Sequence, residues 1–183
     1  MPGDPPSDEH LMQEVRAGSL AAFQLLYDRH RRGLFTFLLR FLGERQSAED
    51  LLQEAFLRVF ASRDTYRPVA AFRTWLFTIA RTLALDHLRA RKGNTALDPE
   101  QALARLTDPG ATPPEQVEAR ELLERLETAV LELPPAEREV LLLSRFAGLT
   151  HTEIADVTGI SPGAVRVALH RALRRLRNSL GPP

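Results

Sequence analysis

Leu149-Thr150-His151-Thr152-Glu153-Ile154-Ala155-Asp156-Val157-Thr158-Gly159-Ile160-Ser161-Pro162-Gly163-Ala164-Val165-Arg166 is the stretch that decides how this chain reads, and its spacing predicts a helix-turn-helix. Thr150 and Glu153 stand as T-x-x-E, a capping box in which each side chain satisfies a free backbone donor at a helix start. Ile154, Ala155 and Val157 give that short helix an inner face, and Gly159 supplies the left-handed residue that stops it. Ser161 then caps a second helix, with Pro162 at the first position, where a missing N–H costs nothing. The second helix is expected to run to about residue 180. It carries Arg166, Arg171, Arg174, Arg175 and Arg177 and no acidic residue. A cap, a tight turn and a positive second helix suit docking in the major groove. The same pattern also fits a helical hairpin with a solvated basic face, since two-helix units recur in proteins that never touch DNA.

Outward from this stretch, the charge pattern is uneven. The 183 residues carry 24 Lys+Arg and 24 Asp+Glu, a formal net charge of zero. Residues 1–95 hold 14 basic and 11 acidic side chains, residues 96–133 hold 3 and 9, and residues 134–183 hold 7 and 4. Two basic blocks flank an acidic one, so neutrality conceals a partition, and the basic ends are the candidates for phosphate contact. There is no cysteine, which excludes a disulfide framework and a thiolate zinc site and fits a reducing compartment. Residues 1–10 lack the basic start and apolar core of a signal peptide, and no apolar run approaches the ~20 residues of a membrane span. The expectation is a soluble cytoplasmic protein without membrane insertion.

The first block reads as helical throughout. A short helix at 8–17 ends at Gly18. Ser19 caps a longer one, with Phe23, Leu26, Tyr27, His30, Leu34, Phe37, Leu38 and Phe41 at the three-and-four spacing of a buried stripe, closed by Gly43. Ser47 is expected to cap a helix over 48–62, with Leu51, Leu52, Ala55, Phe56, Val59 and Phe60 inward. Residues 63–68 break the period and read as a loop. A fourth helix over 70–91 carries Phe72, Trp75, Leu76, Ile79, Leu83 and Leu88. Residues 93–114, rich in Pro, Gly and small or acidic side chains, read as a linker with a helical turn or two near 100–106. A helix over 115–131 turns Leu122, Leu123, Leu126 and Val130 to a core and pairs Glu121 with Arg125. Pro135 starts the next, whose Val140, Leu141, Leu143 and Phe146 pack under the helix-turn-helix until Gly148. The fold class is therefore all-α: two small helical domains, 1–92 and 115–183, joined by a flexible linker, the C-terminal one containing the helix-turn-helix.

The fourth helix is a second candidate site. Phe72, Trp75 and Phe77 are interleaved with Arg73 and Arg81, a mixture that suits unstacked bases and their phosphates. Tyr66, on a loop between Arg63 and Arg67, is placed to cover an extruded base. Against this, Phe72, Trp75, Leu76 and Ile79 also sit at core spacing.

With these residues in view, the chain resembles the extracytoplasmic-function (ECF) group of bacterial sigma factors, the promoter-recognition subunits of RNA polymerase, over nearly its whole length. Residues 48–60 (AEDLLQEAFLRVF) resemble the segment that binds the polymerase clamp, residues 72–81 (FRTWLFTIAR) the promoter-melting helix, and residues 133–141 (LPPAEREVL) with the helix-turn-helix the C-terminal promoter-binding region. The resemblance implies that Asp50, Gln53 and Glu54 face the clamp helices, although by themselves they are only the wet side of an amphipathic helix. It implies that Tyr66, Arg67, Arg73, Trp75, Arg81 and Thr82 serve recognition and melting of the −10 element, Thr82 standing where Asn is common. On the recognition helix it points Arg166, Val167, His170 and Arg171 at the −35 element, with Arg174 and Arg175 on phosphates. Val167, Ala168 and Leu173 replace polar residues usual in the family. Val167 can touch a thymine methyl but cannot hydrogen-bond a base edge, so a different −35 preference is expected.

The implied partners are core RNA polymerase, through its clamp helices and flap, promoter DNA in double- and single-stranded form, and an anti-sigma protein. No cofactor or metal is implied. Two promoter boxes about two helical turns apart lie roughly 70 Å from one another, and a linker of about 20 residues spans up to roughly 66 Å, so reach suffices. No phosphate-binding glycine loop, dinucleotide fingerprint or metal-spaced histidine pair is present, and a catalytic role is not expected. The alternative is a stand-alone helix-turn-helix regulator that binds DNA without polymerase. A helical adaptor with basic faces is a third reading; neither rival requires the Asp50/Gln53/Glu54 block.

Overall fold

A computed structural model describes residues 5–92 and 114–180, the side chains of 92 and 114–122 excepted. Among the described residues every regular element is an α-helix. The N-terminal group comprises α1 (Asp8–Arg16), α2 (Leu20–Leu42), α3 (Arg45–Ala61) and α4 (Phe72–Lys92); the C-terminal group comprises α5 (Pro114–Leu131), α6 (Pro135–Phe146), α7 (His151–Thr158) and α8 (Pro162–Leu180).

Local chemistry explains most of the boundaries. Ser7 and Ser19 accept the N–H groups of His10 and Ala22 at 3.2 Å, starting α1 and α2, each satisfying a donor that the helix itself leaves free. Gly43 stops α2 in the left-handed region at φ 71°. The capping box is present: Thr150 Oγ1 accepts the Glu153 N–H, and Glu153 Oε2 accepts the Thr150 N–H at 2.8 Å. Gly159 ends α7 at φ 77°, and Ser161 Oγ accepts the Ala164 N–H at 3.2 Å to start α8.

One cap differs from the sequence expectation. Ser47 does not start α3; the helix begins at Arg45 with Glu44 as its extended N-cap. Gly43 reverses the chain so sharply that only Gly43 and Glu44 separate α2 from α3. Ser47 then falls inside the helix, buried, and its hydroxyl donates to Glu44 Oε2 at 3.0 Å. The same carboxylate oxygen accepts Arg91 Nη1 at 2.6 Å, tying the start of α3 to the end of α4. A second difference is Leu123, expected inward on α5 but exposed, while Leu126 is partly buried and Val130 buried. The linker expected at 93–114, with its helical turns near 100–106, lies outside the described residues apart from Pro114, which opens α5. Leu122 and the pairing of Glu121 with Arg125 lie outside the described side chains, and Arg125 donates to the Leu180 carbonyl at 3.2 Å.

In the N-terminal group α2 packs on α1, α3 and α4, burying Leu26, Leu34, Phe37, Leu38, Phe72, Leu76 and Phe77. Fully burying each such side chain is worth about 1.5–3 kcal/mol. In the C-terminal group α8 lies across α5, α6 and α7, around Leu142, Leu143, Ile154, Val165 and Ala172. Arg138 of α6 donates to the Leu131 carbonyl at 2.6 Å, a cation satisfying the free acceptors at the end of α5. The two groups are not separate in space. α2 packs on α5 and α6, and α4 packs on α7, so the buried side chains form one continuous core.

Candidate nucleic-acid interface

Three faces carry the residues singled out by sequence. On α8, Val165, Ala172 and Leu176 are buried and hold the helix down. The three-and-four period then sets Arg166, Val167, His170, Arg171 and Arg174 along the opposite side, where they line an open groove of about 460 Å³. Five side chains are thereby brought together as expected. Arg175 is not among them: its Nε lies 2.9 Å from Glu137 Oε2 on α6, facing the body of the domain. That pairing follows from its position next to Leu176 on the buried flank. Val167 and Leu173 are half exposed, so two of the three polar-to-apolar changes on this helix are on its accessible side, whereas Ala168 packs against the core.

On α3, Asp50, Gln53 and Glu54 share one solvent-facing side. Asp50 accepts from Gln46 at 3.2 Å and Glu54 from Arg58 Nε at 2.9 Å, each one helical turn away. The same face carries Leu57, a leucine 64 % exposed. Sequence reading missed it as a functional candidate. The signal was available, because position 57 continues the 50, 53, 54 spacing of the wet face and an apolar residue there breaks the amphipathic pattern.

On α4 and the loop before it, the residues divide. Tyr66 is not open to an incoming base in this arrangement. It is buried, with its ring 4.7 Å from Trp75 and 6.3 Å from Phe72. Its phenol oxygen is buried without a hydrogen-bond partner. Burial, then the charges of Glu9 and Asp8, push its pKa up to about 12. Phe72 is fully buried and Trp75 partly so, which bears out the core spacing of both. Arg67 and Thr82 are exposed; Thr82 Oγ1 donates to the Thr78 carbonyl at 2.9 Å. Next to Arg67, Val69 is 92 % exposed and forms the tip of the loop. Arg81 is drawn to Glu139 of α6, Nε donating to Oε1 at 2.6 Å. The Arg73 guanidinium lies against the turn at Gly148, and its charge acts on Glu153.

The base of α4 is set by α1. Glu9 Oε1 accepts the Phe72 N–H at 2.9 Å, an N-cap supplied from 63 residues away. Beside it, Asp8 pairs with Arg29 and, at 2.6 Å, with His30. Burial alone would raise the Asp8 pKa, but hydrogen bonds and charge from His30 and Arg29 hold it below the ordinary value. Among the described residues no helix is long and apolar enough to cross a membrane, and no group of three or more His, Asp or Glu is placed to hold a metal.

A helical body with a basic helix-turn-helix groove and a separate arginine- and aromatic-bearing helix defines a class: DNA-binding proteins with two distinct nucleic-acid faces. Comparison with known proteins narrows it. Residues 26–93 match the family model of Sigma-70 region 2, and residues 123–176 that of Sigma-70 region 4. The chain is 37 % identical to the RNA polymerase sigma factor CarQ of Myxococcus xanthus, covering 93 % of this chain and 95 % of that one. It is 30 % identical to the ECF RNA polymerase sigma factor SigW of Bacillus subtilis, covering 92 % and 94 %. Among solved structures it is similar to CnrH in complex with the cytosolic domain of CnrY, with a TM-score of 0.70 and 25 % identity over 93 % of this chain and 95 % of that one. The chain belongs to the ECF RNA polymerase sigma factors, DNA-binding factors of transcription initiation.

Proposed function

We propose that the N-terminal group, residues 1–92, binds the polymerase clamp and melts the −10 element, that residues 93–114 connect the two parts, and that residues 115–183 read the −35 element. The observation that carries this reading is the grouping of Arg166, Val167, His170, Arg171 and Arg174 on one accessible groove of the second helix of a capped helix-turn-helix. Arg166 or Arg171, bidentate to a guanine, supplies about 1–3 kcal/mol of discrimination, and Arg174 grips phosphate. Val167 and Leu173 offer apolar contact to thymine methyl groups instead of hydrogen bonds.

Asp50, Gln53 and Glu54, with Leu57 beside them, form the clamp face. An exposed leucine ringed by polar groups is the composition expected of a protein-docking surface. Arg73 and Arg81 hold the phosphates of the melted strand, while Arg67 and Val69 at the loop tip meet the extruded base. Tyr66 and Trp75 act chiefly by stiffening that loop from beneath. The protein works in the cytoplasm, where polymerase and promoter are, and directs an enzyme without being one. CnrH bound to the cytosolic domain of CnrY supports a protein antagonist of the anti-sigma kind for this chain as well.

The test is transcription in vitro from a promoter library, with bacterial core polymerase in the presence and absence of the protein. New transcripts sharing two spaced upstream boxes are expected. A chain that shifts a specific duplex by itself while adding no initiation to core polymerase would instead be a stand-alone regulator.

A further inference from the structure

We propose that Glu9 of α1 is a positioning residue for promoter melting: by capping α4 from outside, it fixes the helix start and the loop that receive the extruded −10 base. The inference rests on the reading of residues 1–92 as the melting part of the chain given above. Residues 67–71 (RPVAA) stand immediately before α4 and contain none of the Ser, Thr, Asp or Asn side chains that cap a helix. Ala71 occupies the capping position, its carbonyl accepting the Trp75 N–H at 3.2 Å, and its methyl group offers nothing to the free donors. Glu9 Oε1 supplies the acceptor instead, on the Phe72 N–H at 2.9 Å. α1 lies before residues 26–93, the span that matches Sigma-70 region 2, so α4 takes its start from a segment outside that match.

Glu9 is itself held in place. Leu11, Met12 and Val15 bury the apolar side of α1, and Asp8 pairs with Arg29 and, at 2.6 Å, with His30 of α2. The His30 ring lies 5.4 Å from that of Phe72, which in turn meets Trp75 at 5.9 Å and Tyr66 at 6.3 Å. The charges of Glu9 and Asp8 reach the Tyr66 phenol, adding to burial in raising its pKa. Because the phenol oxygen has no hydrogen-bond partner, the Tyr66 ring is held by stacking on the first turn of α4 and follows wherever that turn is set.

This placement bears on melting because the exposed loop tip, Arg67 and Val69, sits directly above those rings, and Arg73 follows Phe72 in the chain. When the start of α4 frays, the loop rings and Arg73 lose their positions together. Apparent affinity for the extruded base then falls by the ordered fraction, whereas a start fixed beforehand avoids that loss. A hydrogen bond to an ionised acceptor shifts the balance between a formed and a frayed start by roughly tenfold to a hundredfold. The effect is greatest on duplex DNA, where base capture must offset unstacking, and least on a strand already open.

The test is transcription in vitro with the full chain and bacterial core polymerase, from one promoter of the library and from the same promoter with a mismatched, already open −10 segment. The ratio of open-template to duplex transcripts is internal to each protein sample, so a lower folded fraction cancels. Glu9→Ala is expected to raise that ratio about fivefold or more and to flatten the −10 base preference across the library, with the −35 preference unchanged. Glu9→Gln, which keeps an acceptor oxygen, should stay within about twofold of wild type, and adding Ala71→Ser, a local cap, should return Glu9→Ala to the same range. Leu38→Ala, which truncates a fully buried α2 side chain, should lower stability and leave the ratio unchanged. Where Glu9→Ala does not fold, Glu9→Asp, its carboxylate withdrawn by one methylene, is read in its place and should raise the ratio about twofold or more. An unchanged ratio in the variant read, Glu9→Gln as damaging as Glu9→Ala, no rescue by Ala71→Ser, or an equal rise in Leu38→Ala overturns the proposal. A wild-type chain that initiates on neither template faults the initiation reading itself, whereas wild-type initiation with an unchanged Glu9→Ala profile faults the positioning role alone.

Discussion

Glu9→Ala should destabilise the protein from a position 63 residues before the helix it caps. In the structure Glu9 Oε1 accepts the Phe72 N–H at 2.9 Å, and Phe72 is fully buried, so water cannot easily replace the lost acceptor. A hydrogen bond to an ionised group contributes about 1.5–3 kcal/mol. A negative charge at a helix N-terminus adds about 0.3–1 kcal/mol through the helix dipole. Glu9→Ala removes both, so a loss of about 2–4 kcal/mol is expected. Glu9→Gln keeps an amide oxygen as acceptor and loses only the charge, a cost of about 1 kcal/mol or less. Urea unfolding separates these cases, as the midpoint should fall with an unchanged slope. In a chain of this length each kcal/mol shifts Tm by about 2–4 °C. A second readout is the Tyr66 phenol. Burial is the chief cause of its high pKa and the Glu9 charge the next, so Glu9→Gln should lower its ionisation midpoint in an ultraviolet titration. If Ala and Gln cost the same, the acceptor is irrelevant and the cap reading fails. If neither costs more than about 0.5 kcal/mol, which is the scale of ordinary surface substitutions, α4 is held by packing alone.

Thr150→Ala removes the acceptor for the Glu153 N–H and should cost about 1 kcal/mol by thermal unfolding, with weaker binding of the recognition helix to duplex DNA. Asp8 makes stability depend on acid: its folded pKa lies below the unfolded value near 3.8, so its contribution is full above that value and lost as pH falls through the folded one. Asp8→Asn should flatten that acid limb of a stability profile, below the unfolded value near 3.8. Arg174→Ala should weaken binding to all promoters alike and reduce the salt slope by about one, whereas Arg171→Ala should cost about 1–3 kcal/mol at its own base and relax preference there. Arg175→Ala, which loses its 2.9 Å contact with Glu137, should leave the salt slope unchanged when promoter affinity is measured across a salt series.

Much of this was legible in the one-dimensional pattern because it is local physics. Thr150 and Glu153 are three residues apart, Gly159 and Gly43 need only their own backbone freedom, and the face of Arg166, His170, Arg171 and Arg174 follows from 3.6 residues per turn. Family resemblance likewise assigned blocks of sequence to polymerase and promoter. Where local rules compete, the sequence was misleading: Ser47 is a good cap, but Gly43 turned the chain early enough for Glu44 to take the position. Leu57 was legible too, as an apolar residue that continues the 50, 53, 54 spacing of a wet face.

The sequence determined the eight described helices, most of their caps and the arginine groove, since each depends on neighbours within a turn or two. Only the tertiary structure decided that Tyr66 lies beneath the loop it was expected to crown, that Glu9 caps α4, and that Arg81 is held by Glu139. These contacts join residues 58 to 63 positions apart or stack rings from a loop onto a helix. Their partners are chosen by how helices with several apolar faces settle against one another, and a charge or ring at a given position does not carry the address of the group it will meet.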